Sequence, residues 1–140
     1  MNHAYKVFLA TPKDADEHFV SSVATEALEK FKTALEHGDV EIFTASDDYR
    51  DNFGRCGGWD SWCRDVAQGV DYVYRTPRYN AILCTQMHVG KATASIARLA
   101  LEAGRMVLVR TPDCSYKRVS AVVENDPNDY KAGWGLRIDN

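Results

Sequence analysis

Tyr79-Asn80-Ala81-Ile82-Leu83-Cys84-Thr85-Gln86-Met87-His88-Val89-Gly90-Lys91-Ala92-Thr93 is where the chain declares its architecture. Residues 79–84 form a short apolar, β-favouring run, as in a strand covered on both faces. From Val89 the period changes: Ala92, Ile96, Leu99, Ala100 and Ala103 follow at helical spacing until Gly104. Met106-Val107-Leu108-Val109 is then a further strand. A strand, a helix and a strand in that order imply parallel pairing with a right-handed crossover.

The same alternation extends upstream. Residues 5–10 predict a buried first strand, ended by Thr11-Pro12. Val20, Val23, Ala24, Ala27, Leu28, Phe31 and Leu35 mark one apolar face of a long helix. Asp14 and Asp16 stand at its start, where acids suit the dipole, and Gly38 is its expected stop. Residues 40–45 predict a second strand. Ser46 to Gly58, polar and glycine-bearing, reads as a loop, and residues 59–70 as a short helix. Downstream, residues 119–123 and 134–138 read as late strands. The acidic turn Asn125-Asp126-Pro127-Asn128-Asp129 separates them, as in a C-terminal hairpin. The expected fold is α/β, one domain over residues 1–140: a three-layer sandwich with a mainly parallel central sheet. An α+β fold with a mixed sheet is the alternative.

Composition narrows the function classes. The chain has 140 residues, 45% hydrophobic and 26% charged, long enough to bury a real core. A net charge of −3 argues against a protein that coats nucleic acid. No apolar run approaches a membrane span, and Met1 to Lys6 lack a signal pattern. Cys56, Cys63, Cys84 and Cys114 show no CxxC or metal spacing, so the expectation is a soluble, reduced, cytoplasmic protein without metal or cofactor.

In open parallel sheets, ligands bind beyond the carboxyl ends of the strands. Three groups fall at such ends: Thr11, Pro12 and Lys13; Ser46, Asp47, Asp48, Tyr49 and Arg50; and Thr85, Gln86, Met87, His88, Gly90 and Lys91. All three are expected to converge on one edge. Free N–H groups at a helix start can hold an anion, with Gly90 allowing close approach, Lys91 adding charge and Thr93 a hydroxyl. The position where a Walker A loop needs its upstream glycine holds Thr85. His88 is a candidate acid or base, and Asp47 and Asp48 candidate carboxylates for acid–base work or ribose binding. Trp59, with Tyr49 and Phe53, offers rings for stacking on a base. The plainer readings stand beside these: an ordinary helix start, solvated turn acids, and Trp62 packed in the core. Cys84 reads as a small buried hydrophobe.

Three stretches resemble the nucleoside 2-deoxyribosyltransferase-like family: KVFLATP (6–12), the strand from Tyr79 to Thr85, and GKATASIARLALEAGRMV (90–107). The resemblance implies a small Rossmann-like domain, a nucleotide-sized pocket and a homo-oligomer. In that family a helix glutamate attacks the anomeric carbon; the corresponding turn here holds Thr93, Ala94, Ser95 and Ile96, and no carboxylate. Asn80 stands near where the family commonly has an aspartate. KVFLATPKDADEHF and VEIFTASDD are similar, more weakly, to the first two strands of a TIR-like domain, which also relies on a helix glutamate.

The sequence therefore predicts a protein that binds a nucleoside or nucleotide and acts at its N-glycosidic bond. Asp47 or Asp48 would supply the carboxylate, His88 an acid, and Gly90, Lys91 and Thr93 would bind phosphate. The alternative is a non-catalytic protein that sequesters a nucleotide-derived signal, by analogy with phage anti-defence sponges. A third reading makes the aromatic stretch from Tyr49 to Trp62 a protein-binding surface.

Overall fold

Val7, Phe8, Leu9 and Ala10 are all buried, because their strand is covered on both faces. The computed structural model describes residues 4–36, 38–124 and 133–139. Strand β1 (Tyr5–Ala10) sends Val7 and Leu9 to one side, where they pack on Val23, Ala27 and Phe31 of helix α1 (Glu17–Leu35). Phe8 and Ala10 face the other side, toward Trp62 and Val66 of α3 (Trp59–Gln68) and Ala94 and Ala97 of α4 (Lys91–Glu102). Helices thus lie on both faces of the sheet. Burying one such large apolar side chain contributes about 1.5–3 kcal/mol.

The remaining strands are β2 (Val40–Thr44), β3 (Val70–Asp71), β4 (Thr76–Pro77), β5 (Ala81–Cys84), β6 (His88–Val89), β7 (Met106–Arg110), β8 (Tyr116–Glu124) and β9 (Trp134–Ile138). Seven of them form one sheet, in the order β2-β1-β5-β7-β8-β9-β6. The pairs β1–β2, β1–β5 and β5–β7 are parallel; β7–β8, β8–β9 and β6–β9 are antiparallel. The fold is mixed α/β, and parallel pairing makes up half of the sheet rather than most of it. The late strands do pair antiparallel. The acidic turn 125–129 between them lies outside the described residues. No helix among the described residues is long and apolar enough to cross a membrane.

Three local expectations need correction. Residues 46–56 are not a loop: they belong to helix α2 (Ala45–Cys56), capped by the Thr44 hydroxyl, which accepts from Asp47 N at 3.2 Å. Its first turn carries Asp47 and Asp48, its last turn Arg55, and Gly57 follows at φ 83°. Helix α1 begins as expected, with the Asp16 carboxylate accepting from His18 N at 2.8 Å. It ends at Glu36, which takes the left-handed position at φ 50° expected for Gly38. Strand β5 does not run straight into α4, because β6 intervenes and pairs with β9.

Candidate functional site

A polar cluster joins the first turn of α2, just past the carboxyl end of β2, to the residues just upstream of β5. Asp48 sits in the first turn of α2 and is 2% exposed. Its Oδ1 accepts from Trp62 Nε1 at 2.9 Å. Its Oδ2 accepts from Arg78 and from the Tyr79 hydroxyl, both just upstream of β5. Arg78 also reaches Asp65 of α3, which accepts a further bond from Arg55 at 3.0 Å. Two carboxylates and two guanidinium groups therefore join α2, α3 and the entry to β5. Burial alone pushes Asp48 up, but the donors outweigh it and hold its carboxyl below the usual range. Burial, and then the adjacent carboxylate, push the Tyr79 hydroxyl well above its ordinary value.

Two hollows open beside this cluster. The smaller, about 140 Å³, is lined by Lys6, Phe43, Asp47, Asp48, Asp51, Asn52, Arg78 and Tyr79. The larger, about 410 Å³, is lined by Ala4, Tyr5, Lys6, Leu35, Glu41, Asp71, Tyr74, Thr76, Pro77 and Asn80. Lys6 lines both. Its strand position is fixed on the β5 side, where Lys6 N donates to Asn80 Oδ1 and Asn80 N to Lys6 O, each at 2.8 Å. One wall of the larger cavity is a hairpin of β3 and β4. Asp71 Oδ1 shapes its turn by accepting from Val73 N at 2.9 Å and Tyr74 N at 3.3 Å. At the tip, Tyr72 is 91% and Val73 81% exposed.

The three expected groups do not all meet. Thr85 lies beside the end of β1: its amide donates to Ala10 O at 3.2 Å, and its hydroxyl reaches the same oxygen at 3.4 Å. Thr11, Pro12 and Lys13 follow directly on that strand, so the first and third groups share the carboxyl edge. Gln86, His88, Gly90 and Lys91 are exposed there, and Thr93 is half-buried. Gly90 caps α4 without a side-chain bond. Asp47 and Asp48 belong instead with Lys6, Arg78 and Tyr79. Asp48 is consumed by its three donors, while Asp47 and Asp51 lie 3.4 and 3.1 Å from exposed Arg50.

The Tyr49 and Trp59 rings lie tilted, 5.4 Å apart, with Phe53 5.2 Å from Trp59 and Trp62 5.5 Å from it. Trp62 is 3% exposed and belongs to the core; Trp59 is 51% exposed. Burial pushes the Cys84 thiol up to about 12, which keeps it protonated and inert. Among the described residues, no group of three or more His, Cys, Asp or Glu side chains gathers as a metal site requires.

Lys6, Glu41, Asp71, Tyr74 and Asn80 were not expected at the site. Two signals pointed to some of them: Asn80 opens the central strand, and the 71-DYVYRTP-77 stretch carries two tyrosines and a valine between two clear elements. Set against known proteins, the chain matches no family model, no curated protein and no solved structure.

Proposed function

We propose that this protein binds a nucleoside or nucleotide, with the base held in the larger cavity at the amino ends of β1, β2 and β5. The observation that carries the reading is that cavity's size and lining. About 410 Å³ suits a small organic ligand. Tyr5, Tyr74, Leu35 and Pro77 supply flat or apolar walls, and Lys6, Asn80, Glu41 and Asp71 supply the few polar groups that fix orientation. The parallel half of the sheet, with helices on both faces, supports the finer description of the fold as Rossmann-like.

Binding has more support than cleavage of the N-glycosidic bond. A nucleophilic carboxylate needs an uncommitted oxygen facing the anomeric carbon. Both Asp48 oxygens already accept hydrogen bonds. The histidine proposed as acid, His88, lies in β6 and lines neither cavity.

The test is equilibrium dialysis with nucleosides, nucleoside mono- and diphosphates and NAD, followed by mass spectrometry of free and retained fractions. The expected result is a compound retained unchanged by the wild type and lost on Thr76→Trp, which fills the larger cavity. Released base would instead establish glycosidic chemistry. Retention that survives Thr76→Trp unchanged would move the site elsewhere, and no retention at all would end the reading.

A further inference from the structure

We infer that the smaller hollow is the sugar subsite of the same binding site, so that the ligand is an unphosphorylated nucleoside rather than a nucleotide. This rests on the reading of the larger cavity as the place of the base. Lys6 lines both hollows, and a ligand lying across that residue would enter both at once.

The chemistry of the smaller hollow suits hydroxyl groups. Each sugar hydroxyl is a donor and an acceptor, so it needs acceptors and donors side by side. Asp47 and Asp51, each with one oxygen beside Arg50, offer their other carboxylate oxygen as an acceptor at the rim. Asn52 spends its carbonyl oxygen on Arg55 Nε at 3.2 Å, which leaves its amide N–H groups as donors. The floor is rigid, because Asp48 and Tyr79 are buried and bonded to each other. At about 140 Å³ it has room for a sugar-sized group.

The charges around Lys6 select against phosphate. Lys6 shares the lining of the larger cavity with Glu41 and Asp71 and that of the smaller with Asp47 and Asp51, and exposed Arg50 lies beside the last two. Arg78 is spent on Asp48 and Asp65. A phosphate group entering here meets more carboxylates than cations, whereas neutral hydroxyls meet acceptors. Like charges so placed are the usual means of excluding an anion that otherwise fits.

The experiment is calorimetric titration of the four ribonucleosides, their free bases and their 5′-monophosphates. The proteins are the wild type, Asn52→Trp, which fills the smaller hollow, and Asp51→Asn, a milder change on the exposed rim; circular dichroism checks each fold. One or two added hydrogen bonds make the nucleoside bind about tenfold or more tightly than its base. The monophosphate should bind more weakly than the nucleoside. Asn52→Trp should bring the nucleoside down to the level of its base and leave the base unchanged. Asp51→Asn should weaken the nucleoside and narrow its advantage over the monophosphate. If base and nucleoside bind alike, or the monophosphate binds best, the sugar subsite is wrong and the larger cavity still stands as a base site. If neither base nor nucleoside binds, the larger cavity fails as a base site and the subsite falls with it.

Discussion

Trp62 Nε1 donates to Asp48 Oδ1 at 2.9 Å, and through this bond a buried carboxylate ties α3 to α2. The other oxygen takes Arg78 and the Tyr79 hydroxyl, so the same carboxylate also anchors the entry to β5. Removing its charge leaves a largely buried guanidinium facing a neutral amide. Breaking a buried pair on one side costs about 3–5 kcal/mol when nothing else compensates. Arg78 keeps Asp65, so Asp48→Asn is expected to cost about 2–4 kcal/mol, read as a lower urea midpoint at unchanged slope. A variant as stable as the wild type would mean that the network is ornamental.

The same network sets a pH window. Burial pushes Asp48 up, but Arg78, Tyr79 and Trp62 together hold it below its ordinary 3.8. Glu26 is held below its ordinary 4.5, chiefly by Arg110 against a smaller burial effect. For both, the folded pKa lies below the unfolded one. Their contribution is complete above the unfolded values and lost as pH falls through the folded ones. Tyr79 and Tyr116 run the other way: burial, then Asp48 and Glu26 respectively, raise them above 10.0. Their contribution is complete below 10.0 and drains away as pH rises past it. The urea midpoint should be flat between these limits and fall outside them. Near-ultraviolet tyrosinate absorbance should show Tyr79 and Tyr116 withheld until the chain unfolds. All tyrosines titrating together in the folded protein would contradict this.

The two indoles at the α2–α3 contact should separate cleanly by substitution. Trp62 is core, edge-on to Phe8 at 6.4 Å and bonded to Asp48. Trp62→Ala is expected to cost about 3–5 kcal/mol from the cavity and the orphaned carboxylate oxygen. Trp59 is half exposed, and Trp59→Ala should cost about 1 kcal/mol or less. Fluorescence of Trp59→Phe should be bluer than that of the wild type, because the wetter indole is gone. Equal losses of stability would show that Trp59 is as much a part of the core as Trp62.

How much was legible in the sequence follows from how each element is built. Strand β1, α1, α4 and β7 announce themselves, because unbroken apolar runs and three-four spacing have few other uses. Helix α2 does not, because a charged residue stands at an inward position. Ala45, Asp48, Asn52, Phe53 and Cys56 share helical spacing, yet Asp48 and Asn52 break the apolar stripe. Thr44 before two acids, Arg55 near the end and Gly57 beyond it were the available marks. The β3–β4 hairpin hides for another reason. Its left-handed residue is Arg75, φ 57°, where glycine or asparagine would have marked a turn. With that hairpin unseen, the strand-end rule pointed to the carboxyl edge, while the larger cavity lies against Lys6, Glu41 and Asn80 at the amino edge.

The end of α1 offers a gain in stability rather than a loss. Glu36 carries φ 50° and donates its amide toward Lys32 O and Thr33 O, so it performs the closing turn that glycine performs most cheaply. A side chain there costs about 1–2 kcal/mol of steric strain, since the left-handed region crowds Cβ against the backbone. Glu36→Gly removes the strain and keeps both carbonyl bonds. It also removes an acid from the negative end of the helix dipole, a further small gain. Against this, glycine loses more freedom on folding, worth about 0.5–1 kcal/mol. The net expectation is stabilisation of about 0.5–1 kcal/mol, visible as a higher melting temperature. Glu36→Ala makes the control: it removes the same charge and leaves the Cβ in place, so it should gain only the electrostatic part. If alanine and glycine stabilise equally, charge and not backbone conformation governs this helix end.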